Sequence, residues 1–285
     1  MRFVELERHI SSIGELRDII GALRSLAGIR VQEAQRALPG VRRYGQTVAD
    51  AIGAALSLIA APPEAHPGVG RRGLVLCMAE HGFVGGFDER IRAAAEVSIA
   101  ATDVLFVLGH RGAARLAESG SKIDWFHPMA TRTNGIVETV RHLTGELYRR
   151  IAAGELSRVE VVFARREQSR VEVIETRQLL PLGAQAPARL QARMPPLCNL
   201  PPQLLLQELI ADHIFALLVE AAVESLLSEN AARFAAMEAA HDNVSKRLDR
   251  LHQEAREARQ DEITSELLEL ISGAEDRIAS DHPLT

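Results

Sequence analysis

Residues 82 to 87, Gly-Phe-Val-Gly-Gly-Phe, are the part of this 285-residue chain whose spacing comes nearest to chemistry. An apolar run from Gly73 to Ala79 precedes them and a helical pattern from Asp88 follows. In that setting a glycine turn can cradle phosphate with its backbone N–H groups. The Lys-Ser/Thr pair of a phosphate loop is missing, and so is the Gly-x-Gly-x-x-Gly spacing of a dinucleotide fold. The glycines are therefore read as a tight turn with close packing of helix on strand. The ten histidines contain no His-Glu-x-x-His, and pairs such as His110 with His127 or His241 with His252 lack ligand spacing. Cys77 and Cys198 stand alone, as expected of two reduced thiols in a cytosolic protein. No nucleophile lies beside a base. The expectation is a chain with no catalytic residue, no metal and no cofactor of its own.

Composition narrows the partners. The net charge of −5 and pI of about 6.1 argue against a nucleic-acid footprint. No stretch approaches the roughly 18 apolar residues of a membrane span. The charged N-terminus, Met1-Arg-Phe-Val-Glu-Leu-Glu-Arg-His9, does not resemble a signal peptide. Few aromatics with abundant alanine and leucine favour helix.

The elements around the glycine turn fall into three parts. Residues 1–60 carry Leu6, Ile10, Ile13, Ile20, Ala27, Val31, Ala34 and Leu38 at helical spacings. Gly21 and Gly28 there suggest either close passage of another helix or local flexibility, and Pro39-Gly40 is expected to kink or interrupt the run. A Pro/Gly linker, Ala61 to Gly70, leads to residues 71–192. There strands at 73–79, 104–108, 158–164 and 170–180 alternate with helices at 88–101, 110–118 and 134–153, a small α/β layer domain. A proline-rich joint, Met194 to Pro202, closes it. Residues 203–285 then form one long helix whose seam reads Val223, Leu227, Asn230, Phe234, Met237, His241, Val244, Leu248, Leu251, Ala255 and Ala258. A 3.5-residue repeat marks supercoiling against a partner helix, over about 110 Å at 1.5 Å per residue. The fold class is thus mixed α and β: an antiparallel two-helix coiled coil made by the two ends of the chain, with an inserted Rossmann-like domain. The terminal helices also differ in charge. Residues 203–281 hold seventeen acids and seven bases, and the first sixty hold six acids and eight arginines. Exposed pairs of that kind contribute only about 0–1 kcal/mol each. After Ala258 the seam slips before resuming at Ile263, Leu267 and Leu270, where the helix is expected to leave its partner.

Two segments carry a family resemblance: Ser228-Glu-Asn-Ala-Ala-Arg-Phe-Ala-Ala-Met-Glu-Ala-Ala-His-Asp-Asn243 and Ala258-Arg-Gln-Asp-Glu-Ile-Thr-Ser-Glu-Leu-Leu-Glu-Leu-Ile-Ser-Gly-Ala274. Both resemble the C-terminal helix of the γ subunit of F-type ATP synthases. Ile19 to Ala27, Gly82 to Asp88, Val107 to Gly112 and Gln178 to Leu182 are similar to further landmarks, so the resemblance spans the chain. It implies a non-catalytic central-stalk rotor that couples ion translocation in a membrane sector to ATP synthesis or hydrolysis at an alpha3beta3 ring. The implied partners are the alpha and beta subunits, the epsilon subunit and the c-ring. The implied place is peripheral, on the cytoplasmic face of a bacterial inner membrane. Residue by residue, the family's polar contacts with the ring fall on Arg233, Arg259, Gln260 and Thr264, and apolar bearing contacts on Ile271 to Ile278. Departures at Ile20 to Ile29 and at Phe83, Val84 and Asp88 hint at a divergent paralogue from an alternate F-type ATPase. The rival reading is a stand-alone coiled-coil adaptor or scaffold with a small α/β domain that binds a ligand or partner.

Overall fold

The computed structural model describes residues 2–59, 70–96, 99–100, 102–166, 172–182 and 197–280. The linker at 61–69, the start of the proline-rich joint and the side chains of 272–280 lie outside what is described. Two helices dominate, α1 (Arg2–Leu56) and α5 (Pro202–Ser280). Between them come β1 (Arg71–Cys77), α2 (Phe87–Glu96), β2 (Val104–Leu108), α3 (His110–Glu118), β3 (Trp125–His127), α4 (Thr133–Ala152), β4 (Leu156–Arg166) and β5 (Glu172–Leu180). The chain forms two compact units, Leu26–Ala236 on the one hand and Met1–Ser25 with Met237–Thr285 on the other.

In the unit Leu26–Ala236 the strands lie in the order β3-β2-β1-β4-β5, all parallel except β5, which runs against β4. Parallel strands are buried on both faces and so read as continuous apolar runs; Val104–Leu108 is buried at every residue. Alternation splits the side chains between two cores. Leu74, Leu76, Leu105, Val107 and Val162 meet Phe87 and Ile91 of α2 and Leu116 of α3. Val75, Cys77, Phe106, Val161 and Phe163 meet Val140 and Leu143 of α4, Leu218 and Leu226 of α5, and Ala34 and Leu38 of α1. Within this unit α1 and α5 run antiparallel. Arg42 bonds Glu220 at 3.3 Å and also bonds the buried Glu224, while Gly28 lies against Phe234.

In the unit formed by the chain ends the direction is again antiparallel. Gly21 lies by His241, and Phe3, Glu7, Ile10 and Ser11 share a groove with His252, Ala255, Arg256 and Arg259. Met237, Leu248, Leu251 and Ala255 are buried and Ala258 is half-buried, as the heptad requires. From Arg259 to Leu268, and at Leu270 and Ile271, every side chain is exposed.

Two expectations change and a third is sharpened. Pro39 does not interrupt α1, because Pro39 and Gly40 point to solvent while Leu38 is buried. The missing N–H thus falls on the side where water can serve the freed carbonyl. The sheet gains a three-residue edge strand, β3. Of the two helix glycines, Gly28 touches its neighbour more closely: a Cβ there would sit 3.4 Å from the Phe234 ring, against 4.0 Å from His241 at Gly21.

Glycine is demanded at the start of α3. Gly109 has φ +109°, and a Cβ there would lie 2.5 Å from the Met78 carbonyl oxygen. At Gly112 a Cβ would lie 2.1 Å from the Met78 Cβ, while its N–H donates to the Ala79 oxygen at 3.1 Å. The loop Gly109-His-Arg-Gly112 therefore exists to bring helix backbone onto the end of β1. Gly112→Ala is expected to destabilise the chain by about 2 kcal/mol or more through overpacking. Gly145→Ala, at an exposed α4 position with nothing within 4 Å, is expected to stabilise it by roughly 0.5–1 kcal/mol. Thermal unfolding of the two variants beside the parent checks both signs.

Candidate functional site

The polar groups of this chain converge where β1 ends and α5 passes. Glu80, just after β1, accepts from the backbone N–H of Met129 at 2.8 Å and of His110 at 3.1 Å, and pairs with His110 Nδ1 at 2.5 Å. Burial works to raise its pKa, but the bonds from His110 and Met129 hold it below the usual carboxylate range. Asp88, in the first turn of α2, accepts from the Ala79 N–H at 2.9 Å. Its second oxygen has no hydrogen-bond partner, and burial pushes its pKa up. Glycine turn and helix start are thus fastened to the strand they follow.

α5 supplies the opposite wall. Ser225 Oγ donates to the Cys77 oxygen at 2.7 Å and Ser228 Oγ to the Ala164 oxygen at 3.2 Å. In open α/β sheets, ligands enter the crevice beyond the carboxyl ends of the strands, where the strand order reverses. The order β3-β2-β1-β4 puts that point between β1 and β4. Here the carbonyls at the ends of those two strands are bonded by the chain's own helix. The carbonyls at the start of the glycine turn are taken up likewise, while Phe83, Gly85 and Gly86 stay exposed. Arg233 Nη2 donates to the His81 oxygen and Nε to the Gly82 oxygen, at 3.1 and 3.2 Å. Its fork also reaches Asn230 Oδ1 at 3.1 Å and Glu229 Oε1 at 2.6 Å. The start of the turn offers its carbonyls to an arginine, where a phosphate cradle would offer N–H groups. Among the described residues no group of three or more His, Cys, Asp or Glu is placed to hold a metal ion. The Cys77 thiol is pushed up to about 12 by burial and stays un-ionised.

The four residues assigned from the resemblance do not share one environment. Arg233 is buried in the unit Leu26–Ala236 with its donors directed to groups of its own chain. Arg259, Gln260 and Thr264 are exposed on α5 in the unit formed by the chain ends. The Arg259 guanidinium lies 5.8 Å from the centre of the Phe3 ring, and Thr264 Oγ1 donates to the Gln260 carbonyl at 2.8 Å. Sequence reasoning missed Glu229 and the turn carbonyls as partners of Arg233. The available signal was an acid and an arginine four residues apart, ringed by Ala231, Ala232, Ala235 and Ala236, which let a loop approach.

Burial pushes Glu229 up to about 7, with Arg233 pulling it down and the charges of Asp88 and Glu80 adding to the rise. The folded chain then binds more protons than the unfolded chain between the ordinary 4.5 and about 7. The stability contributed by this group is full below that window and is lost as pH rises through it, by at most about 3 kcal/mol. Relative to Glu229→Gln, the parent should therefore lose stability between pH 5 and 8. Urea unfolding of both proteins across that range checks the sign, and parallel profiles would contradict it.

The ATP synthase family model matches residues 2–276. The ATP synthase gamma chain of Beijerinckia indica subsp. indica is 27% identical over 95% of this chain and 98% of its own length, and that of Paracoccus denitrificans is 28% identical over 95% and 98%. Among solved structures, a chain of the Euglena gracilis mitochondrial ATP synthase OSCP/F1/c-ring assembly superposes with a TM-score of 0.68 at 12% identity. The match covers all of this chain and 97% of that one. A chain of the Tetrahymena thermophila ATP synthase central stalk and c-ring gives 0.54 at 15% identity, covering 78% and 99%. The family model matches nearly the whole chain and the gamma-chain relatives align over nearly their full length, so the chain belongs to the ATP synthase gamma family.

Proposed function

We propose that this chain is the central-stalk, or gamma, subunit of a rotary F-type ATP synthase. In this reading it couples ion translocation through the membrane sector to ATP synthesis or hydrolysis at the alpha3beta3 ring. The family match spans nearly the whole chain, and its relatives are themselves named ATP synthase gamma chains. The observation that carries the reading is the end of α5. The seam is buried or half-buried at every position through Ala258, and then every described side chain from Arg259 to Ile271 is exposed. That exposed stretch lies within the second of the two segments that resemble the family, and it leaves polar and apolar groups at the surface for a surrounding ring.

A subunit of this kind performs no bond chemistry. It acts by making different contacts with otherwise equivalent neighbours, which biases their conformational equilibria. Arg259, Gln260 and Thr264 are the groups we assign to ring contact. A planar guanidinium engages carboxylates in two-point fashion as successive subunits come round. Arg233 has its donors directed inward and is not among these groups. Ile263, Leu267 and Ile271 supply apolar surface beside the polar groups. We take residues 71–192 as the foot that meets the epsilon subunit and c-ring, and 1–60 with 203–285 as the shaft. No described helix is long and apolar enough to cross a membrane. The chain is peripheral in a membrane-associated complex, and we place it on the cytoplasmic side.

The test is reconstitution with alpha and beta subunits. The chain should join the ring and turn under ATP in a single-molecule rotation assay, and a stable free dimer that ignores the ring would support the adaptor reading instead. Arg259→Ala combined with Gln260→Ala should lower turnover or torque by roughly threefold to tenfold without lowering the melting temperature, as loss of interface contacts near 1 kcal/mol implies. Unchanged turnover and torque would remove the site assignment.

A further inference from the structure

The contacts that hold α5 to the sheet are of two kinds. Alanines and leucines such as Leu218, Ala222 and Leu226 pack against the strands, and such packing is non-directional. It resists separation far more than it resists sliding or turning of the helix about its own axis. Hydrogen bonds resist turning, because they fail when the donor angle is lost. Arg233 makes the densest set of them, with one planar fork holding His81 O, Gly82 O, Asn230 Oδ1 and Glu229 Oε1. Glu229 and Asn230 lie on the same helix and are themselves buried, so they fix the guanidinium before it reaches the turn. The turn in its own right is fastened to β1 through Asp88 and the Ala79 N–H.

We propose that the Arg233 fork is a torsional lock, a positioning device that stops α5 from rotating against the sheet layer, so that rotation delivered to the sheet reaches the helix. This rests on the rotary reading above and adds to it a role inside the chain for a residue that the family resemblance assigns to the ring. Lysine cannot replace the arginine, because a single ammonium cannot hold two carbonyls and a carboxylate in one plane.

Two measurements on Arg233→Lys test it, since that variant keeps a positive charge beside Glu229. The first is hydrogen exchange at the amides of residues 82–87 in the purified full chain. Loss of bonds from a charged donor should speed exchange there by roughly tenfold. A residue that only met the ring would leave the free chain's exchange unchanged, and that result overturns the lock. The second uses the reconstituted holoenzyme in vesicles and reads membrane potential formed per ATP hydrolysed, a ratio independent of how much complex assembles. It should fall by roughly threefold or more. A ratio equal to the parent's overturns the lock, and so does a loss of activity that merely tracks the amount assembled. If the parent chain itself fails to join the ring, the rotary reading fails, while the exchange experiment still reads the fork.

Discussion

Everything in the unit Leu26–Ala236 depends on one constraint: α5 buries polar side chains, and each must find a partner inside the protein. Glu224, Ser225, Ser228, Glu229, Asn230 and Arg233 are all buried, within less than three turns of helix. Leaving such groups unpaired costs on the order of 1–3 kcal/mol each, and more for charges. Their partners come from different places: Arg42 on α1, the carbonyls ending β1 and β4, and the glycine turn. A slip of α5 by one residue would break all of these at once. The polar groups thus set the register that apolar packing alone would leave loose. They also account for the crevice of the sheet, whose strand-end carbonyls bond the helix. A few atoms remain unserved, among them Glu224 Oε2 and Asp88 Oδ2, and burial raises the pKa of both carboxyl groups.

Periodicity made most of the fold legible. The heptad positions from Val223 to Ala258 are all buried or half-buried, because a long helix has only one way to hide a stripe at that spacing. The strands at 104–108 and 158–164 stood out because two-sided burial leaves continuous apolar runs, Val104–Leu108 in the first and 161–164 in the second. What escaped was non-local. Strand β3 is three residues long and exists only because β2 offers it an edge. Pro39 sits within a continuous helix because its face is turned to water, and the face cannot be known before the partners are. The inward turn of Arg233 depends on carbonyls some 150 residues earlier in the chain. An arginine read alone looks like surface; its neighbours at 229 and 230 and the surrounding alanines are what take it inside.

The glycines divide in a similar way. At Gly109 and Gly112 the backbone of α3 touches the chain leaving β1 so closely that no side chain fits. At Gly14, Gly40 and Gly145 nothing lies within 4 Å. Glycine thus marks close contact between elements at the start of α3 and, less tightly, where Gly28 of α1 meets Phe234 of α5, while at Gly14, Gly40 and Gly145 it carries no such meaning.

The bare end of α5 has a consequence for how the protein must be made. Ile263, Leu267, Leu268, Leu270 and Ile271 are exposed, and each would gain roughly 1.5–3 kcal/mol from full burial. A single helical segment of about a dozen residues is marginal in water by itself. In the proposed assembly the surrounding ring would supply the burial that this stretch lacks. Until it is covered, the stretch presents an adhesive face to any other exposed chain. Under that proposal, output of this protein has to be matched to the supply of the ring.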